Sequence, residues 1–149
     1  MITVKIQKRD ITEATRLAAE LGSLRNSIRS GAGNLIGFLG ELITARIIDA
    51  AIEHTYNWDL RKGKWTLDCK TKSCTSAPLP HYECSIAETS LHQKCDYYIF
   101  CRITEDLKFC YILGKKRKDL YFQQARYCKK GEIDIKSDCN WCFKASCYN

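Results

Sequence analysis

His54-Thr55-Tyr56-Asn57-Trp58-Asp59-Leu60, then Arg61-Lys62-Gly63-Lys64, then Trp65-Thr66-Leu67-Asp68-Cys69-Lys70-Thr71-Lys72 is the stretch that decides the fold. Two runs with aromatic and β-branched residues flank a basic, glycine-bearing segment, the pattern of strand, turn and strand. With the turn at Arg61 to Lys64, Leu60 pairs with Trp65, and Asp59 lies opposite Thr66. The Thr66 side chain points the same way as those of Asp68 and Lys70, because side chains alternate along a strand. Two aspartates and a lysine then share one face. Diagonal neighbours in a hairpin are roughly 7–8 Å apart, close enough for two carboxylates to bridge one cation and uncomfortable without it.

Upstream, Asn34 to about Ile52 carries apolar Leu35, Ile36, Phe38, Leu39, Leu42, Ile43, Ile47 and Ile48, which predicts a long, largely buried helix. Before it, Asp10 and Glu13 have capping-box spacing and open a first helix over Ile11 to Leu21, closed by Gly22. Downstream, a loop with Pro78 and Pro80 leads to a short strand near Tyr82 to Ile86 and a short helix over Ala87 to Lys94. Tyr97 to Ile103 and Phe109 to Leu113 are expected strands. Lys118 to Tyr127 is an expected helix ended by Gly131, and the tail, Ile133 to Tyr148, is irregular or short strand. A helix-first chain with a central mixed sheet flanked by helices is an α/β or α+β domain.

Composition bounds the function. The chain has 149 residues, 45% of them hydrophobic, enough for one core and too much for a disordered tail. We read residues 1–149 as a single domain, with a core over about 33–132, an N-terminal helix over 10–22 and a cysteine-rich tail over 133–149. Lys and Arg total 24 against 17 Asp and Glu, a formal charge of +7, so nucleic acid leads the expected partners. No apolar run approaches a membrane span, and Met1-Ile2-Thr3-Val4-Lys5-Ile6 lacks a signal-peptide layout, which makes the expected location the reducing cytoplasm. Ten cysteines fit that setting as mostly buried thiols, as in Ile99-Phe100-Cys101 and Phe109-Cys110-Tyr111.

Glu41 supplies a third acid. Gly37 and Ala45 lie one turn to either side, so its carboxylate sits on an apolar face and needs a partner. A hard divalent cation held by oxygen ligands offsets that cost, and Mg2+, for which Mn2+ can stand in, is the natural candidate. Glu41, Asp59 and Asp68 are the expected ligands, with the backbone carbonyl of Cys69 as a fourth. Lys70 beside the metal can hold an attacking water or neutralise charge growing on a phosphate oxygen.

Gly37-Phe38-Leu39-Gly40-Glu41, Asp59 and Leu67-Asp68-Cys69-Lys70-Thr71-Lys72 resemble the helix glutamate, first aspartate and acid-x-lysine motifs of the PD-(D/E)xK nuclease superfamily. Ser85 to Ser90 running into Asp96 to Phe100, Tyr111 to Gly114, and Ala125 to Glu132 are similar to small phage-type members. The resemblance covers roughly Gly33 to Glu132. It implies a restriction-endonuclease-like αβββαβ core, Mg2+ dependence and endonucleolytic hydrolysis of DNA, with Glu41, Asp59, Asp68 and Lys70 catalytic. Trp58 replaces the family's proline, and Asp68 stands where glutamate is commoner.

Further expectations concern the surround. Lys72 shares the face of Asp68 and Lys70; with Arg29 and Gln93 it forms the expected nucleic-acid contact set. Arg25, Lys62, Lys64 and the run Lys115-Lys116-Arg117-Lys118 are further phosphate contacts or solvated charge. Cys139-x-x-Cys142, with Cys128 and Cys147, has half of a zinc signature. Two other functions compete: a Holliday-junction resolvase of the same superfamily, acting as a homodimer, and a non-catalytic nucleic-acid-binding module stapled by Zn2+.

Overall fold

The computed structural model describes residues 1–21, 32–79, 82–132 and 140–144. Its elements are β1 (Ile2–Lys5), α1 (Lys8–Leu21), α2 (Ala32–Ile48), β2 (Ala51–Ile52), β3 (Leu60–Lys62), β4 (Trp65–Cys74) and β5 (Glu83–Ala87). A 3-10 turn (Glu88–Ser90), β6 (Tyr97–Thr104), β7 (Phe109–Arg117), α3 (Lys118–Gln124), β8 (Arg126–Cys128) and β9 (Asn140–Lys144) follow. A six-stranded mixed sheet runs β1-β7-β6-β4-β3-β2, and a small sheet runs β5-β9-β8. Among the described residues only β4 and β6 pair in parallel. The mixed α+β class expected from the sequence is what the chain adopts.

Alternation along β6 and β7 divides the core in two. Ile99, Cys101, Ile103, Cys110 and Ile112 join Ala14 of α1 and Leu39 and Ile43 of α2. Tyr98, Phe100, Tyr111 and Leu113 join Ile86 of β5 and Tyr121 of α3. Helices α1 and α2 therefore cover one face of the large sheet, and α3 with the small sheet covers the other. Cys69, Cys74, Cys84, Cys95, Cys101, Cys110 and Cys128 are buried. Among the described residues no helix is long and apolar enough to cross a membrane.

Several boundaries differ from expectation, each for a local reason. Helix α1 begins at Lys8, so Asp10 is not its cap but lies in its first turn. There it accepts the Gln7 N–H (2.9 Å) and takes both guanidinium nitrogens of Arg46 from α2, at 2.5 and 3.2 Å. Burial alone would raise the Asp10 pKa; Arg46 and the Gln7 amide outweigh it and hold the carboxyl below its usual range. Gly22 lies outside the described residues. Helix α2 stops at Ile48, four residues early. Asp49 turns left-handed (φ 53°), the Ala50 N–H returns to the Ala45 carbonyl (2.9 Å), and Ala51–Ile52 pairs with β3.

The expected helix over Ala87 to Lys94 shrinks to the single 3-10 turn, and the strand before it is Glu83–Ala87. Strand β7 runs on to Arg117, so Lys115 and Lys116 are strand residues. Helix α3 ends at Gln124 because Arg126–Cys128 pairs with β9, and Gly131 follows that strand instead of closing the helix. β1, not foreseen, adds an edge to β7 from Ile2 opposite Ile112 to Lys5 opposite Phe109.

The hairpin register also shifts. The turn is only Gly63-Lys64, with Gly63 left-handed (φ 56°), so Lys62 pairs with Trp65 and Leu60 with Leu67. Leu60 was expected opposite Trp65. A slip of two preserves every face assignment, since side chains repeat every second residue. It moves Asp59 from beside Thr66 to beside Asp68. β3 starts only at Leu60, and the loop before it is closed by Thr55, whose hydroxyl accepts the N–H groups of Asn57 (3.2 Å) and Trp58 (3.0 Å).

Gly40 sets how closely α2 approaches β4. A Cβ there would lie 1.9 Å from Thr71 Oγ1 and 2.9 Å from Thr71 Cβ. Gly40→Ala gains about 1 kcal/mol of helix propensity but forces helix and strand apart, for a net loss of about 1–2 kcal/mol. Urea denaturation measures this. Adding Thr71→Ala should recover part of the loss, and an undiminished midpoint in Gly40→Ala alone would contradict the packing.

Candidate active site

That close approach brings Glu41, the next residue on α2, toward the strand that carries Asp68 and Lys70. Asp68 is almost wholly buried, one oxygen hydrogen-bonded and the other beside a cation. Oδ1 accepts from Gln93 Nε2 (2.6 Å), and Oδ2 lies 2.7 Å from Lys70 Nζ. Lys70 also donates to Gln93 Oε1 (2.9 Å) and to Ser90 Oγ (3.4 Å). Asp68, Lys70 and Gln93 thus close a ring in which the glutamine amide donates to the acid and accepts from the base.

Asp59 enters from the other strand of the hairpin. Its Oδ2 accepts the Cys69 backbone N–H at 2.7 Å, and its own N–H donates to the Leu67 carbonyl at 3.0 Å. The N–H and C=O of one strand residue point to the same side, so the Cys69 carbonyl also faces Asp59. The Asp59 carboxyl also faces that of Asp68, and each raises the cost of ionising the cluster. Glu41 is flanked by His54, whose Nδ1 lies 2.9 Å from Glu41 Oε2 and whose ring stands edge-on to Phe38.

The Gln93 loop is tied down at both ends. Lys118, at the start of α3, donates from Nζ to the Leu91 carbonyl (3.0 Å) and to the Gln93 carbonyl. Asp96 Oδ2 accepts both the N–H and the hydroxyl of Thr66, each at 2.8 Å. These bonds fix the glutamine over the strand without any regular helix to present it.

Three acids in one low-dielectric setting cannot all ionise. Burial raises the Asp59 pKa to about 8, helped by the charges of Glu41 and Asp68. Burial likewise raises Asp68, against the pull of Lys70 and Gln93, and raises Glu41, against the pull of His54. His54 is raised in turn, chiefly by its bond to Glu41. Glu41 Oε2 and Asp68 Oδ2 remain buried without a well-directed hydrogen bond, each having only the charge of a neighbouring cation beside it. Such oxygens are suited to a hard cation, and the donor set fits one. Among the described residues, no three acid, histidine or cysteine side chains are already drawn to ligand spacing. In this arrangement His54, Lys70, Gln93 and the Cys69 amide partner the acids.

The structure therefore gathers Glu41, Asp59, Asp68, Lys70, the Cys69 backbone and Gln93. Gln93 was expected on a helix; it sits instead in the loop after the 3-10 turn. Lys72 is close by but bonds to Ser85 of β5, and Lys62 donates to the carbonyls of Ile48 and Asp49 at the end of α2. In the basic run, Arg117 pairs with Asp119 (2.7 Å), and Lys118 holds the Gln93 loop. Arg25, Arg29, Cys139 and Cys147 lie outside the described residues, so the zinc expectation falls there too; Cys142 lies on β9 opposite Ser85. His54, Ser90 and Lys118 were missed as site residues. Nothing in their spacing marks them, because each reaches the site from an irregular segment or an element end.

The raised acid pKa values fix a pH dependence. Between the ordinary carboxylate range and pH 8, the unfolded chain has released the Asp59 proton and the folded chain retains it. The folded state binds more protons there, so stability falls as pH rises. His54 adds the same sign: its raised pKa contributes stability present at low pH and lost as pH rises through its folded value. In metal-free buffer the thermal midpoint should fall from pH 5 to pH 8, at about 1.4 kcal/mol per pH unit for each retained proton. Asp59→Asn should flatten that slope, and a midpoint that climbs across this range in the parent protein would refute the protonated cluster.

No protein-family model matches the chain, and no curated protein matches it.

Proposed function

We propose that the chain is a divalent-metal-dependent nuclease of PD-(D/E)xK type that hydrolyses phosphodiester bonds in DNA. The observation that carries the reading is the buried trio Glu41, Asp59 and Asp68 beside Lys70, with two carboxylate oxygens lacking a directed hydrogen bond. Like charges collected at such cost imply a counter-charge in the working state. The order α2, β2, β3, β4, β5, 3-10 turn, β6 is compatible with an αβββαβ succession into which β5 of the small sheet is inserted and whose crossover helix is reduced to one turn. The formal charge of +7 supplies an attractive surround for a polyanion.

Asp59, Asp68, Glu41 and the Cys69 carbonyl would hold Mg2+ or Mn2+, which when bound supplies Lewis acidity toward a phosphoryl oxygen and a more acidic water. Lys70, released from Asp68, orients the attacking water and places positive charge where a phosphoryl oxygen gains negative charge. Gln93 keeps the Lys70 ammonium and the Asp68 carboxylate in register. His54 lowers the cost of ionising Glu41 in its apolar surroundings.

The deciding experiment incubates the protein with linear, nicked, flap and four-way-junction DNA, with Mg2+ and with EDTA, beside Asp68→Asn. Cleavage present with Mg2+, absent with EDTA and absent in the variant is the expected result. Cutting of four-way junctions alone would narrow the activity to a junction resolvase. Binding of DNA without cleavage of any substrate would overturn the reading in favour of a binding module.

A further inference from the structure

A second concavity lies away from the acidic cluster, where the sheet emerges from beneath the end of α2. It has a volume of about 920 Å3 and an apolar floor that includes Leu67, Ile99 and Ile112. Its rim is formed by Trp65, at the start of β4, and Tyr97, at the start of the parallel neighbour β6. The two rings meet edge to face at 5.5 Å. Trp65 is 44% exposed, unusual for the largest apolar side chain in a chain with a formed core. On the far side of this aromatic ridge, the same two residues line a shallower concavity of about 500 Å3 with Arg117 and Phe122.

Each ring carries a cation. Lys64 Nζ lies 4.8 Å from the Trp65 ring centre, and Lys115 Nζ lies 5.2 Å from that of Tyr97. Both lysines are exposed, and among the described residues neither is ion-paired. Aromatic faces at a rim, a lysine beside each, an apolar hollow on one side and a hollow with both Phe122 and charged Asp96, Arg117, Lys118 and Asp119 on the other form one donor set. It matches a ligand whose flat apolar faces alternate with negative charge along a chain.

We propose that the Trp65–Tyr97 ridge binds an unpaired nucleic-acid strand, with bases stacked on the rings or seated in the hollows and phosphates on Lys64 and Lys115. Base–aromatic stacking needs exposed base faces, which a duplex does not offer. Trp65 stands three residues before Asp68 on one strand, roughly 10 Å along it, with the side chains on opposite faces. A strand held at the ridge therefore passes around the end of the sheet that also supports the acidic cluster. The proposal takes its choice of ligand from the nuclease reading, but its test needs no cleavage.

The test measures fluorescence anisotropy of a labelled oligothymidylate of twelve nucleotides, in EDTA and low salt. The competitors are an unlabelled duplex and an abasic strand of the same length. The oligothymidylate is expected to bind at least about tenfold more tightly than the abasic strand. Trp65→Ala should weaken binding by about tenfold, and Trp65→Phe should retain most of it. Lys64→Glu with Lys115→Glu should weaken binding and lower the slope against log salt by about two, one per phosphate contact.

Parent-like binding by a Trp65→Ala protein with unchanged circular dichroism would overturn the proposal, as would equal competition by the duplex or the abasic strand. Concentration-dependent self-association abolished by Trp65→Ala would instead assign the ridge to a second copy of the chain, and would equally overturn it. Strand binding in a protein that cuts no DNA would leave the ridge standing and remove the nuclease reading; cleavage with an indifferent Trp65→Ala would do the reverse.

Discussion

Lys70→Ala is expected to reduce Mg2+-dependent DNA cleavage by about 10²–10³-fold, the loss typical of deleting one preorganised charge from a water-poor site. The variant removes three things at once. It removes the cation 2.7 Å from Asp68 Oδ2, the donor to Gln93 Oε1 and the donor to Ser90 Oγ. Without the ammonium, the buried Asp68 carboxyl holds its proton more strongly, because burial already raises its pKa and Lys70 is the main opposing charge. A protonated Asp68 is also a poorer metal ligand, so part of the loss should return at higher Mg2+ and higher pH. Lys70→Gln separates the contributions. It keeps a hydrogen-bonding head but no charge, and should cleave no faster than the alanine variant if charge is what matters. DNA binding in EDTA should be unchanged in both, since one half-buried lysine adds little to a surface already strongly basic. Cleavage by Lys70→Ala within a few fold of the parent would remove Lys70 from the chemistry.

Much of this site was legible in the sequence because it depends on alternation. Asp59, Asp68 and Lys70 share a surround whether the hairpin turn has four residues or two, since the slip preserves the side-chain period. Glu41 was legible because a charged residue on an apolar helix face demands a partner. What the sequence did not show was the identity of those partners. Gln93 is placed by Lys118, Asp96 and Thr66, from three separate segments, so its bonds to Asp68 and Lys70 follow from loop anchoring and not from periodicity. His54 comes from an irregular loop in which it adopts a positive φ of 45°. Trp58, standing where the resemblance would place proline, donates its indole N–H to Glu53 and lies under the Arg61 guanidinium at 5.2 Å. Proline could make neither contact; here Trp58 packs the loop that carries Asp59.

The boundaries failed for a related reason. Ala50-Ala51-Ile52 is apolar enough to continue α2, and only pairing with Arg61 and Leu60 makes it strand. Lys115 to Arg117 look like a loop because they are charged. Yet on β7 they pair with Ile99, Tyr98 and Tyr97, and the Lys115 side chain lies over the Tyr97 ring. Tertiary pairing overrode local composition in both places.

The second large effect is on stability, and two equally buried tyrosines should give opposite answers. Tyr121 of α3 is fully buried, donates its hydroxyl to the Cys84 carbonyl of β5 at 2.7 Å, stacks on Phe100 at 5.6 Å and meets Tyr98 edge-on at 5.9 Å. It joins α3, the small sheet and the large sheet at one point. Tyr121→Ala should cost about 3–5 kcal/mol, a large share of a stability of about 5–15 kcal/mol. Tyr121→Phe should cost about 1–2 kcal/mol, because it strips the donor from a buried carbonyl. Tyr98 is as deeply buried, but its hydroxyl makes no well-directed hydrogen bond and has only the weakly polar Cys95 thiol beside it. A thiol returns little for burying that hydroxyl, so Tyr98→Phe should be neutral or stabilising. Chemical denaturation of the three variants at one pH measures the contrast. The outcome also bears on the site, because β5 carries Ser85, the partner of Lys72, and the chain leads from β5 directly into the turn bearing Ser90. If Tyr121→Phe proved harmless while Tyr98→Phe destabilised, the hydroxyl bond to Cys84 would not be what fastens the small sheet, and the position of Ser90 and Gln93 would have to rest on Lys118 and Asp96 alone.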